Sequence, residues 1–200
     1  CDGGHILCIM PEGVKMRLLE LRGLPVAVLI DFVHKHGGIL GPAHPCGGKY
    51  LSFTNTKRYY KSPELFKRFD FIEVFNACES AESNARALKL AQKYKKPGIG
   101  GSDAHRPNCV GMGYTILPER VTCETELIAL IRSKSSVIET GGSLYGKTTK
   151  DKMGKADKIL TYSFWFYNKA GTIMRKRKRM LNGKIENPVD PIDPIELKYM

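Results

Sequence analysis

The sequence predicts an α/β fold of alternating strands and helices, and three observations carry that prediction. Short, nearly continuous apolar runs recur along the first 145 residues, as strands covered on both faces require. Between them lie stretches whose apolar residues fall at i, i+3, i+4 and i+7, the stripe of a helix packed on one side. Glycine or proline marks most of the junctions, so the elements are short and sharply bounded.

The first strand is read at 5–10, with Gly3 and Gly4 turning the backbone ahead of it and His5 at its mouth. His5 there is equally well a ligand or a partly buried ring satisfied by a carbonyl. Residues 11–23 carry no firm pattern. Pro25 opens a helix at its first turn, where a missing N–H costs little, and Val26, Leu29, Ile30 and Val33 form its stripe. His34 and His36 fall near its end, ahead of Gly37 and Gly38, and read as surface residues suited to the C-terminal dipole. The next strand, 39–43, is closed by His44 and Pro45, the proline holding His44 extended. Strand, helix and strand in succession read as a βαβ unit, hence a parallel pair with His44 at the carboxyl end.

A polar loop follows with Lys49, Arg58, Tyr59, Tyr60 and Lys61, suited to a phosphate or simply to solvent. Ser62, Pro63 and Glu64 read as cap, first-turn proline and first-turn acid of a short helix through Phe69. The strand 71–76 has Glu73 and Asn76 as its polar members, and Glu73 faces either the site or a lysine partner. Ala87, Leu90, Ala91 and Tyr94 give a helix over 82–95, and the strand leading to Asp103 and His105 comes next. A strand at 111–117 precedes a helix capped by Thr122, with Glu124 and Glu126 in its first turn and Cys123, Leu127, Leu130 and Ile131 as its stripe. A last strand is read at 136–140, ended by Gly141 and Gly142.

At 200 residues and 42% hydrophobic, the chain can bury a core and form one domain with an appendage. The net charge of +12 suits an anionic partner, but the excess is local: between 151 and 184, ten Lys or Arg stand against two Asp. The boundary is therefore drawn with 1–145 as the α/β domain and 146–200 as a basic helical extension ending in an acidic, Pro-rich tail. The run Arg175, Lys176, Arg177, Lys178 and Arg179 offers a nucleic-acid or acidic-membrane contact. The competing reading is a solvated helix face, favoured because no aromatic residues interleave the charges. Six cysteines without metal-site spacing read as free thiols of a reducing cytosol. No apolar run reaches membrane-spanning length and no secretory pattern opens the chain. Because Cys1 stands almost directly ahead of an apolar strand, with no initiator methionine, the sequence is expected to continue a larger protein.

The segment 97–105 concentrates the chemistry. On an extended strand end, residues two apart point to the same side, so Asp103 and His105 converge on a common or adjacent metal. An Asp-x-His alone is more often a surface Asp beside a loop His.

Three segments in order strengthen the functional reading. Gly4-His5-Ile6-Leu7, then Gly41-Pro42-Ala43-His44-Pro45, then Ile72-Glu73-Val74-Phe75-Asn76 running through Asn84 to Gly101-Ser102-Asp103-Ala104-His105, with Val110, Gly111 and Thr115, resemble the second half of a PHP domain. This is the polymerase and histidinol phosphatase family of metal-dependent phosphoesterases. The similarity runs from Gly4 to Leu117 and more loosely to Gly142.

The resemblance implies a PHP-type distorted seven-stranded α/β barrel, TIM-like, here lacking its first strands, with divalent zinc, manganese or iron at the carboxyl strand ends. The family's later ligands carry over as His5, His44, Asp103 and His105. Asp103 and His105 are also the expected catalytic pair, His105 shifting between ligand and proton donor. The family's opening His-x-His, its next two histidines and a bridging Glu would all precede Cys1. His34 and His36 have the His-x-His spacing but sit at a helix end. The implied chemistry is attack of metal-activated water on a phosphoric ester, with Lys49, Arg58 and Arg106 assigned to the phosphate by loop position. A small phosphate ester, a nucleotide or an oligonucleotide is the expected substrate. Four ligands are fewer than two well-held ions share, so weak metal binding and slow or absent hydrolysis are expected, with self-association through an open sheet edge. The alternative is a non-catalytic barrel remnant that presents its basic segment to nucleic acid or a protein partner.

Overall fold

A computed structural model of the chain describes residues 2–15, 24–48, 51–133 and 139–145, together with 159, 163 and 166. The chain divides into two compact units, Cys1–Thr148 and Thr149–Met200. Of the second unit, 159, 163 and 166 are described, and all three are helical. The basic run 175–179, the tail after Asn187, Cys1 and Lys49 lie outside the described residues.

In the first unit the order is β1 (Ile6–Ile9), α1 (Val26–Lys35), β2 (Ile39–Pro42), α2 (Lys57–Lys61), β3 (Ile72–Asn76), α3 (Ala81–Tyr94), β4 (Gly98–Gly101), β5 (Gly113–Ile116), α4 (Glu124–Ser133) and β6 (Glu139–Gly142). Strands pair as three two-stranded ladders: β1 with β2, β3 with β4, and β5 with β6. The ladders lie side by side. Asp70 N donates to Leu40 O at 2.9 Å, and the Asp70 carboxylate accepts from Leu40 N at 2.9 Å, aligning β2 with the start of β3. The Thr115 hydroxyl bonds both N–H and C=O of Gly100 at 2.9 Å, joining β4 to β5. The fold is mixed α/β with short strands, and no closed barrel forms among the described residues.

The first strand pair differs from the sequence expectation. β1 and β2 are antiparallel, with Ile6 opposite Pro42 and Ile9 opposite Ile39, not the parallel pair of a βαβ unit. The reason lies in the connection. Asp2 Oδ1 accepts from Val26 N at 2.6 Å, so α1 begins beside the start of β1, not beside its end. The start of the helix and the start of β1 therefore lie at the same end. The helix runs forward, and β2 can only return.

Helix α1 buries Val26, Leu29, Ile30 and Val33, the predicted stripe. Its two histidines are engaged locally. His34 Nε2 meets Asp70 Oδ2 at 2.8 Å, and His36 Nδ1 donates to Phe32 O at 2.8 Å. Helix α2, read from sequence as loop, is started by the Thr56 hydroxyl, which accepts from Tyr59 N. The predicted helix through Phe69 is a 3-10 turn, Pro63–Arg68, and the Ser62 side chain makes no cap bond. Ser80 does cap α3, accepting from Ser83 N, and Ala87 and Ala91 lie buried beneath it. In α4 the buried residues are Ile128, Leu130 and Ile131. Thr122 does not act as the predicted acceptor: its N–H and hydroxyl both donate to Glu126, at 2.7 and 2.9 Å.

The main core is aromatic. Phe53, Phe66 and Phe69 are fully buried beside Ile72 and Leu40. Their rings meet edge to face at centroid separations of 5.0 to 5.9 Å, the favourable geometry for ring quadrupoles. This packing lies beneath β2 and β3 and fixes their ends, where the polar residues gather.

Candidate active site

Antiparallel pairing places His5 and His44 together. His5 immediately precedes β1 and His44 follows β2 by two residues, so both fall at one end of the ladder. His5 Nδ1 lies 3.1 Å from His44 Nε2, with the rings nearly edge to face. His5 is exposed and His44 half-buried. Ser52 Oγ sits 3.2 Å from His44 Nδ1 and can accept that nitrogen's proton, leaving Nε2 with its lone pair.

His44 does not take the extended conformation that Pro45 favours. Its φ is +32°, in the left-handed region that non-glycine residues rarely adopt. Glu73 holds it there. The Glu73 carboxylate accepts from His44 N at 2.5 Å and from Asn76 Nδ2 at 3.1 Å. Glu73 is only 6% exposed, and its partners are neutral donors rather than the lysine that the sequence left open. Burial pushes its carboxyl up to about 7, partly offset by the Asn76 and His44 bonds. Space for it comes from Gly101 on β4: a Cβ there would stand 2.7 Å from Glu73 Oε1.

Strand β4 ends at Gly101, so Asp103 and His105 lie in the turn beyond it. The side-to-side alternation of an extended strand therefore does not bring them together. Asp103 has φ +48°, and this left-handed turn places its Oδ1 3.3 Å from His105 Nε2. Asp103 is mostly covered, whereas the His105 side chain is 48% exposed. The turn is held by a residue that sequence reasoning missed. The Tyr145 hydroxyl lies 2.9 Å from Ser102 O and 2.8 Å from Asp103 O, and Tyr145 N donates to Ala77 O. Burial, then the neighbouring Cys78 as hydrogen-bond partner and potential negative charge, keeps the phenol above its ordinary range, so it remains a donor. No local signal marked Tyr145: it follows β6 by three residues and acts across the fold.

His5, His44, Glu73, Asn76 and Asp103 border one cleft of about 600 Å³, which Gly100 and Gly101 of β4 also line. Arg58 is committed elsewhere, its Nε and Nη2 at 2.7 and 2.6 Å from Asp2 Oδ2. Arg106 is exposed in the loop after His105.

The side chains present fit a metal in part. Two imidazole nitrogens bound to one ion at about 2.0–2.1 Å stand about 3.0–3.4 Å apart, and the 3.1 Å His5–His44 separation falls in that range. The Ser52 contact supplies the outer partner that metal-binding histidines usually have. Asp103 and His105 make a second carboxylate–imidazole pair. Among the described residues, however, no three His, Cys, Asp or Glu gather closely enough to hold an ion. The site therefore consists of two incomplete donor pairs: His5 and His44 both border the cleft, and of the second pair Asp103 does.

Residues 81–136 match a family model described as PHP-associated. The match spans α3, β4, the Asp103–His105 turn, β5 and α4, and it supports a PHP-related context for this part of the chain. No curated protein matches the chain. No helix among the described residues is long and apolar enough to cross a membrane.

Proposed function

We propose that the chain carries one half of a PHP-type metal-dependent phosphoesterase site. The observation that carries this reading is the His5–His44 pair at ligand spacing on the cleft that Asp103 also borders. The PHP-associated match over the Asp103–His105 turn supports the same family context.

In this reading His5 and His44 hold one ion, and Asp103 with His105 contribute to a second position. Zinc, manganese or iron suits such nitrogen and oxygen donors. When bound, such an ion lowers the pKa of water and neutralises charge on phosphoryl oxygens. The chain's own residues do the remaining work. Glu73 fixes the backbone of His44, and Ser52 selects its tautomer. Asp103 orients His105, whose exposed ring is free to pass a proton to a leaving alkoxide. Arg106, next to His105, is the cation placed to meet a phosphate.

The purified chain with added Mn²⁺ or Zn²⁺ tests this with an aryl phosphate and with nucleoside monophosphates. The expected result is metal-dependent hydrolysis well below about 1 per second, abolished by His44→Ala. Hydrolysis that needs no metal, or that survives His44→Ala, contradicts the proposal.

A further inference from the structure

Among the described residues three non-glycines have positive φ, and two of them, His44 and Asp103, lie at the candidate site. A backbone in that region is strained and persists only where its surroundings over-determine it. Each of these two is held by a side chain from a distant segment. For His44 the holder is Glu73. For Asp103 it is Tyr145, 42 residues away in sequence.

We propose that Tyr145 is a positioning residue of the site, whose hydroxyl sets the direction of the Asp103 carboxylate through the Asp103 backbone. The inference rests on the functional reading above for its purpose, though not for its geometry. A phenol has one hydrogen, and here it is shared between two successive carbonyls, Ser102 O and Asp103 O. Two carbonyls drawn to one point fix the two peptide planes that meet at the Asp103 Cα, and with them the left-handed φ of Asp103. That φ decides where the carboxylate points, and at present it points to His105 Nε2.

The anchoring is also built from the other side. Tyr145 N donates to Ala77 O at 2.8 Å, and Ala77 N donates to Gly101 O at 3.0 Å. Ser143 N donates to Met112 O at 2.7 Å. The segment after β6 is thus laced to the ends of β3 and β4 and to the loop before β5, so Tyr145 reaches the turn from a fixed base. An aromatic residue held only for packing would not need its hydroxyl on these two oxygens.

The test compares the full chain with Tyr145→Phe and Asp103→Asn, using Tyr114→Phe as a control for loss of an exposed phenol. Two readouts are needed. The first is the ¹⁵N resonance of His105 Nε2 without metal, which reports the Asp103 contact and does not depend on any activity. The second is the affinity for Mn²⁺ alone. Tyr145→Phe keeps the ring, and is expected to move the His105 resonance toward its position in Asp103→Asn. It should also weaken Mn²⁺ binding by about tenfold, as loss of an outer partner does, while Tyr114→Phe changes neither. An unmoved His105 resonance in Tyr145→Phe, even with a lowered melting temperature, would show a structural role only and overturn the proposal. If the wild-type chain binds no Mn²⁺, the phosphoesterase reading fails, and the resonance still decides the role of Tyr145.

Discussion

The two faces of the β2–β3 region are built on opposite rules. Behind the strands, Phe53, Phe66 and Phe69 fill space completely and make ring contacts in every direction. In front, the cleft is lined by Gly100 and Gly101, which carry no side chains, together with His44, Glu73 and Asp103. The first face gains stability from volume. The second gives some up: it buries a carboxylate without a cation and holds two residues at positive φ. The contrast teaches that the aromatic layer supports strain that serves only the cleft.

That division can be broken most forcefully from the back. Phe66→Ala is expected to lower stability by about 3–5 kcal/mol, measured by urea unfolding. In the molecules that remain folded, the His5–His44 contact should persist. A loss of the cleft geometry at matched folded fraction would show that the two faces are not separable.

The next largest effect is electrostatic. Folded Glu73 titrates at about 7, above its ordinary value near 4.3 in an unfolded chain. Between those values the folded state binds more protons than the unfolded, so stability falls as pH rises through that window. The total change is on the order of 3 kcal/mol. Unfolding measured in chelator from pH 4 to 8 should show this decline for the wild type and a much flatter profile for Glu73→Gln. A wild-type curve that rises across this window in step with Glu73→Gln would contradict the burial argument.

The smallest change in composition addresses the front alone. Gly101→Ala adds one methyl that meets Glu73 Oε1 at 2.7 Å. Stability should fall by no more than about 1–3 kcal/mol. The displaced carboxylate, however, releases His44 N, and metal affinity should drop by about tenfold. Unchanged metal affinity would mean that Glu73 does not organise the histidine.

Much of this was readable in the sequence, and the failures have physical causes. The stripe of α1 was legible because one helix face meets one core. The direction of β1 relative to β2 was not, because it depends on Asp2 anchoring the start of α1 across 24 residues. The residues His5, His44, Asp103 and His105 were singled out by strand ends and order. Their mutual arrangement was reached by a different route: an antiparallel ladder for one pair and a left-handed turn for the other. Pro45 argued for an extended His44, and a bond from the buried Glu73 overrode that local preference. Glu73 was left open between site and lysine because burial cannot be seen in a single strand. Tyr145 was invisible, since its role arises only when the end of β6 meets the end of β4.

The central claim is that His5 and His44 form a ligand pair and not merely a hydrogen-bonded pair of rings. Calorimetric titration of the full chain with Zn²⁺, in parallel with His5→Ala and His44→Ala, tests it directly. The account predicts weak binding of at most one ion per chain at this pair, with both substitutions lowering the affinity at least about tenfold. Zinc binding that is the same in the wild type and in both variants, or no zinc binding at all, would contradict it.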